Sequence, residues 1–168
     1  RISSHQQKIR QFNKLGVDFV ITKKFNKDFS KTKSIDFIKN VLKKKLKAKF
    51  IFVSNNFRFG KKREGDVNQL IKFEKECNYK IVKPKPLLIK NKIVSSSLIR
   101  SYLQKGKLDK VNKLLNRKWT IEGIVQRGKQ LGKKIGFPTA NIDIKDYVLA
   151  CEGVYAVRAK MFNSNKII

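Results

Sequence analysis

Residues 132–141, GKKIGFPTAN, concentrate two glycines, two lysines, a proline, a threonine and an asparagine in ten positions. Gly132 and Gly136 let the main chain pass close to a ligand or adopt positive φ. Pro138 fixes its own φ and stiffens the chain just ahead of Thr139 and Asn141. Those two offer a hydroxyl and an amide oxygen, hard neutral donors suited to Mg²⁺ shared with substrate phosphates. The same composition suits a Gly-rich hairpin with polar residues at its tip. The ten residues alone leave both readings open.

Two more stretches carry chemistry. In Val94–Arg100, VSSSLIR, three serines at a helix start bring hydroxyls and unpaired N–H groups to one point, an arrangement that attracts anions. Arg100 follows one turn later with a permanent charge and a guanidinium fork. Read without context, this is serine capping beside a solvated arginine. In Asn56–Gly60, NFRFG, an amide, two aromatic rings and a close-approach glycine follow an apolar run. A strand end whose phenylalanines fill the core has the same composition.

GFPTAN is the signature of riboflavin kinases, and the serine and NFRFG segments precede it in the order found in one family. Across nearly all its length the chain resembles the bacterial bifunctional riboflavin kinase/FMN adenylyltransferases, or FAD synthetases. The resemblance implies an α/β fold in two domains. Residues 1–116 would form an N-terminally truncated, Rossmann-like nucleotidylyltransferase domain. Residues 117–168 would form a C-terminally truncated, small antiparallel β-barrel riboflavin kinase domain. It implies two reactions: phosphorylation of riboflavin by ATP to FMN, and adenylyl transfer from ATP to FMN, giving FAD and pyrophosphate.

Residue by residue, the resemblance implies that Ser96, Ser97 and Arg100 bind the ATP phosphates of the adenylyltransferase, with Arg100 catalytic. Serine at 97 replaces the usual threonine and keeps the hydroxyl. Asn56, Phe57 and Phe59 would line the flavin and adenine end of that site. Gly132, Lys133, Gly136, Thr139 and Asn141 would bind phosphates in the kinase, within a Gly/Lys-rich flap from Gly128 to Gly136. Thr139 and Asn141 would also hold Mg²⁺. The segment 153–157, GVYAV, matches the family's next strand, although Ala150-Cys151-Glu152 departs from a link that usually contains proline. Glu152 is not taken as the base, because the family's catalytic glutamate lies farther downstream. The family's H-x-G-H motif lies upstream, and His5 is no remnant of it. Together with the missing initiator Met, these departures imply a fragment expected to lack both activities by itself.

Composition sets the remaining bounds. The net charge is +29, yet only eight of the 41 basic residues are Arg and 33 are Lys. The lysines are spread along the chain beside plentiful Asn, Ile and Phe, as A/T-rich coding would produce. A nucleic-acid partner is therefore not expected, although the charge favours anionic nucleotides. A basic RNA-binding protein using the FRF segment for stacking, and a catalytically inactive flavin carrier, are the rival readings. Riboflavin, FMN and ATP are the expected small-molecule partners, with no membrane partner. No apolar run reaches the length of a membrane span. Cys77 and Cys151 match no metal-ligand spacing and suit reduced thiols in the cytoplasm.

Periodicity predicts a helix capped by Ser3 or Ser4, with Ile9, Phe12 and Leu15 inward and Gly16 as its stop. Val17–Thr22 reads as a buried strand. Ser34 should cap a helix with Ile38, Val41, Leu42 and Leu46 on one stripe. Strands at Phe50–Val53 and Tyr79–Val82 flank a helix over 66–77 with Val67, Leu70 and Ile71 inward. Strands alternating with helices imply a parallel sheet with helices on its faces. Helices follow at Leu98–Leu103 and Leu108–Leu115. Beyond a boundary near Asn116–Lys118, alternation predicts strands at Trp119–Val125 and Gly153–Ala159. Asn163–Ile168 reads as a turn and the beginning of a new apolar segment.

Overall fold

A computed structural model describes residues 1–129 and 131–161, and the turn expected at Asn163–Ile168 lies outside them. The chain divides into two compact units, Arg1–Asp18 with Val94–Ile168, and Phe19–Ile93. The expected boundary at 116/117 falls inside the first of these.

In the first unit, Ser4 caps helix α1 (His5–Lys14) through a reciprocal box with Gln7. The Ser4 hydroxyl accepts from the Gln7 backbone N–H at 3.1 Å, and the Ser4 backbone N–H donates to Gln7 Oε1 at 2.7 Å. Gln7 is itself buried. Its Nε2 donates to the Thr120 carbonyl at 2.9 Å, and the Tyr147 hydroxyl donates to its Oε1 at 3.3 Å. Ser3 Oγ accepts from Arg117, and Arg10 pairs with Glu122. The polar side of α1 therefore faces inward. Ile9, Phe12 and Leu15, expected inward, are exposed, because buried hydrogen bonds orient the helix instead of its apolar stripe.

Helices α6 (Ser96–Gln104) and α7 (Leu108–Leu115) pack around Ile99, Leu103 and Val111, with Ile2, Trp119 and Val148 against them. Gly106 has positive φ between the helices, and Asn116 closes α7 in the left-handed region. After Arg117 the structure departs from the expected strands. The Trp119 backbone N–H donates to Asn112 Oδ1 at 2.7 Å and its indole to the Ile2 carbonyl at 2.9 Å. The Glu122 N–H donates to the Tyr147 hydroxyl at 3.2 Å. Side chains occupy backbone donors that a ladder would use, so 119–124 is irregular. Among the described residues β7 (Val125–Gln126) and β8 (Asn141–Ile142) form a ladder, antiparallel, with a helical turn α8 (Leu131–Lys134) between them, and Lys160 takes part in an isolated bridge. Residues 153–159 are also irregular, and Val154 and Val157 are exposed. The described residues thus form no closed barrel.

The second unit opens on Phe19–Thr22, which with Val17 and Asp18 had read as a strand. The segment pairs with no strand among the described residues, and Phe19 and Ile21 are exposed. A short turn α2 (Lys27–Ser30) precedes α3 (Ser34–Asp36), which continues as a π-helix over Phe37–Lys45. Ser34 is not the cap but a buried first-turn residue, whose backbone N–H donates to Glu64 Oε1 at 2.7 Å. Ile38 and Leu42 are buried as expected, whereas Leu46 is exposed.

Strands β1 (Phe50–Phe52) and β4 (Lys80–Val82) pair in parallel, Ile51 opposite Ile81. The predicted parallel sheet is this one pair. Ile38, Leu42, Leu70, Cys77 and Tyr79 form the core with Ile51 and Ile81, while Phe50 and Phe52 stay exposed. The helix expected over 66–77 is two pieces, α4 (Val67–Lys72) and α5 (Glu74–Cys77), joined at Phe73. Asp66 caps α4 by accepting from the Gln69 N–H at 2.9 Å. The break leaves Ile71 exposed and turns Phe73 and Cys77 toward the core. A hairpin not anticipated, β5 (Leu88–Ile89) with β6 (Lys92–Ile93), turns on Lys90 and Asn91, both at positive φ.

Between β1 and α4, β2 (Arg58–Phe59) pairs antiparallel with β3 (Gly65–Asp66), and Arg58 meets Asp66 at 3.2 Å. Gly60 has φ +76°, and a Cβ there would lie 2.7 Å from the Ser34 Cα and N. The loop thus packs backbone on backbone against the start of α3. Gly60→Ala should cost about 2–5 kcal/mol, adding left-handed strain to overpacking, as urea denaturation would measure.

The buried Tyr79 hydroxyl donates to the Leu70 carbonyl at 2.7 Å. Burial, followed by the nearby Cys77 and acidic side chains, pushes its ionisation up to about 12. A folded-state value above the free one gives stability that is complete below about pH 10 and is lost as pH rises through 12. Urea midpoints measured from neutral pH upward should fall steeply in that window. Tyr79→Phe should lose about 1 kcal/mol at neutral pH and show a shallower alkaline decline.

Candidate functional site

The loop between β7 and β8 forms a pocket of about 170 Å³ lined by Gly128, Lys133, Pro138, Thr139 and Asn141. The local chain explains why these residues meet. The α8 turn closes when the Phe137 N–H donates to the Gly132 carbonyl at 2.8 Å, and Gly136 adopts φ +82° to reverse the chain. A Cβ on Gly132 would lie 2.2 Å from the Phe137 carbonyl oxygen, so a side chain there would open the loop. Pro138 then leads into Thr139, and Asn141 begins β8 opposite Gln126.

Of the residues expected in the kinase site, Lys133, Thr139 and Asn141 line this pocket, and Gly132 and Gly136 shape the loop that carries them. Thr139 and Asn141 are exposed, with no hydrogen-bond partner for either side chain among the described residues. The Asn141 amide nitrogen is the branch nearer to Gly128 and its Oδ1 the farther one. A hydroxyl, an amide oxygen and a lysine beside a closely packed main chain fit a Mg²⁺ shared with phosphates, which needs few protein ligands. Among the described residues no group of three or more His, Cys, Asp or Glu is placed to hold a metal by itself. Gly128 lines the pocket and was anticipated only as one end of the flap. Its signal in the sequence was no more than a glycine two residues past a strand.

The serine run lies at the start of α6. Ser95 is the cap, its Oγ accepting from the Leu98 N–H at 3.2 Å. Ser96 and Ser97 occupy the first turn and Arg100 the next, all three exposed. Capping by Ser95 spares the other two hydroxyls. Asn56, Phe57 and Phe59 belong to the other compact unit. Asn56 lies in the turn after β1, its Oδ1 accepting from the Ser54 hydroxyl at 2.8 Å. Phe59 is a core side chain, 8% exposed, and Phe57 stacks on it with centroids 5.6 Å apart and planes 18° from parallel. Phe57 is half-buried, whereas Asn56 and Arg58 are exposed.

A family model described as FAD synthetase matches residues 1–98, and one described as riboflavin kinase matches residues 115–167. A bifunctional riboflavin kinase/FMN adenylyltransferase from Buchnera aphidicola subsp. Schizaphis graminum is 38% identical, covering 100% of this chain and 54% of its own length. The protein of the same description from Escherichia coli K12 is 35% identical, over 94% of this chain and 50% of its own. The chain spans about half the length of the curated relatives it matches. A crystal structure described as a macrolide-efflux protein from Streptococcus pneumoniae superposes with a TM-score of 0.78 at 23% identity. It covers 94% of this chain and 50% of the other, and a likeness at that identity concerns the fold alone. With its first 98 residues matched by one model and a riboflavin kinase segment following, the chain belongs to the FAD synthetase family, in the form joined to riboflavin kinase.

Proposed function

We propose that this chain serves flavin-nucleotide synthesis, phosphorylating riboflavin to FMN and adenylylating FMN to FAD, both at the expense of ATP. Residues 117–168 contribute to the kinase and residues 1–116 to the adenylyltransferase. The observation that carries the reading is the pocket where Lys133, Thr139 and Asn141 meet. The partners are riboflavin, FMN, FAD and ATP, with neither nucleic acid nor membrane required, and the setting is the cytoplasm. No helix among the described residues is long and apolar enough to cross a membrane.

In the kinase reaction the riboflavin 5′-hydroxyl oxygen attacks the γ-phosphorus of ATP, and ADP leaves. Positioning and charge neutralisation supply most of the rate in such transfers. Lys133 brings positive charge to the phosphates. Gly132 lets the chain close on the Phe137 carbonyl and Gly136 reverses it, which brings Lys133 and Thr139 to the same pocket. Thr139 Oγ1 and Asn141 Oδ1 hold Mg²⁺, which when bound neutralises the phosphate oxygens. The described residues lining the pocket include no carboxylate, so the base for the hydroxyl proton comes from outside that set.

In the adenylyl transfer an FMN phosphate oxygen attacks the ATP α-phosphorus and pyrophosphate leaves. Ser96 and Ser97 donate hydroxyl and first-turn N–H hydrogen bonds to phosphate oxygens. Arg100, the catalytic residue, places its guanidinium on the charge that develops there. Asn56 and Phe57 offer an amide and a ring edge to the flavin or adenine, and Phe59 acts by holding Phe57 in its stacked position. The α/β unit with its parallel pair is read as Rossmann-like, and β7–β8 as part of a small antiparallel barrel.

Two measurements on the full-length gene product test the division of labour. Thr139→Ala should lower riboflavin kinase kcat/KM by at least about 10²-fold while FMN adenylyl transfer stays unchanged. Arg100→Ala should do the reverse, losing about 10²-fold or more in FAD formation. Equal losses of both activities in either variant would contradict the assignment, and salt-sensitive polynucleotide binding much tighter than ATP binding would favour the RNA-binding rival.

A further inference from the structure

β8 delivers Asn141 to the pocket, yet it is held to β7 by only two rungs, Val125 opposite Ile142 and Gln126 opposite Asn141. Two rungs specify register weakly. A slip of one residue would carry Asn141 to the opposite face of the ladder, away from Thr139 and Lys133. Neither Asn141 nor Thr139 has a side-chain hydrogen bond among the described residues to resist such a slip.

Two glycines flanking β7 lie against side chains of β8. A Cβ on Gly128 would lie 2.1 Å from Asn141 Nδ2 and 3.1 Å from its Cγ. A Cβ on Gly123 would lie 2.4 Å from Ile142 Cγ2. The two glycines bracket β7, and each receives the side chain of a different β8 residue. The notch at Gly128 takes the amide nitrogen branch of Asn141, whose Oδ1 is the more distant branch.

We propose that Gly128 is a positioning residue for the kinase reaction, its missing side chain being the seat that places the Asn141 amide. This rests on the reading of Asn141 as a ligand for Mg²⁺ and phosphate given above. An alanine at 128 would displace the amide, the far end of a flexible side chain, because a contact of 2.1 Å cannot be kept.

The test is a double-mutant cycle in the full-length gene product with Gly128→Ala, Asn141→Ala and the pair together. Three quantities are read: riboflavin kinase kcat/KM, Mg·ATP affinity by calorimetry, and Tm. Gly128→Ala alone should lose about 10²-fold in kcat/KM, as a misplacement near 1 Å produces, with weaker Mg·ATP binding and a lower Tm. In the Asn141→Ala background, adding Gly128→Ala should change kcat/KM by no more than about twofold and should return Tm to that of Asn141→Ala, since the clash is gone. Normal turnover by Gly128→Ala, or losses that simply add, would overturn the inference. Should Asn141→Ala itself phosphorylate riboflavin normally, the ligand role of Asn141 fails. The Tm cycle then still decides the seating, with relief upholding it and additivity refuting it.

Discussion

Much of the first compact unit depends on one buried polar knot, in which Gln7 joins the cap of α1 to Thr120 and Tyr147. A glutamine taken from water must find partners for its amide, and here every partner lies within the protein. That requirement orients the helix. It brings the first residues of the chain against segments more than a hundred positions away, including the Trp119 indole on the Ile2 carbonyl. It also outweighs the apolar stripe of Ile9, Phe12 and Leu15, which is left facing solvent. Losing a buried hydrogen-bonded partner costs about 1–3 kcal/mol, comparable to exposing one large apolar side chain.

A second constraint is how closely backbone can approach its neighbours. At Gly60 the hairpin rests on the backbone at Ser34, and at Gly128 the missing side chain is filled by the Asn141 amide. Both glycines lie beside sequence motifs that carry chemistry, one ending NFRFG and the other four residues ahead of GKKIGFPTAN. In each place the glycine acts less as a hinge than as a vacancy that another residue occupies.

The motifs were legible because their chemistry is local. Pro138, Thr139 and Asn141 are close enough in sequence that a turn must bring them together, and the pocket contains all three. The serine run was legible as a helix start for the same reason, although which serine caps was not: Ser95 takes that role and spares Ser96 and Ser97. Helices α6 and α7 followed from the spacing of Ile99, Leu103 and Val111. Of the strands expected at 17–22, 119–125 and 153–159, only Val125 at the end of the second lies in a strand among the described residues. Alternation in sequence describes a face, whereas a strand exists only when another strand accepts its hydrogen bonds.

Sequence alone determined the family and the order of the three motifs, because a motif is a run of neighbours whose contacts span a few bonds. Only the tertiary structure decided that residues 1–18 fold with the C-terminal part of the chain, that Phe59 is core while Asn56 is surface, and that Gly128 faces Asn141. Those outcomes depend on partners distant in sequence. No periodicity records which remote carbonyl a buried glutamine will find, or which side chain will fill the space a glycine leaves.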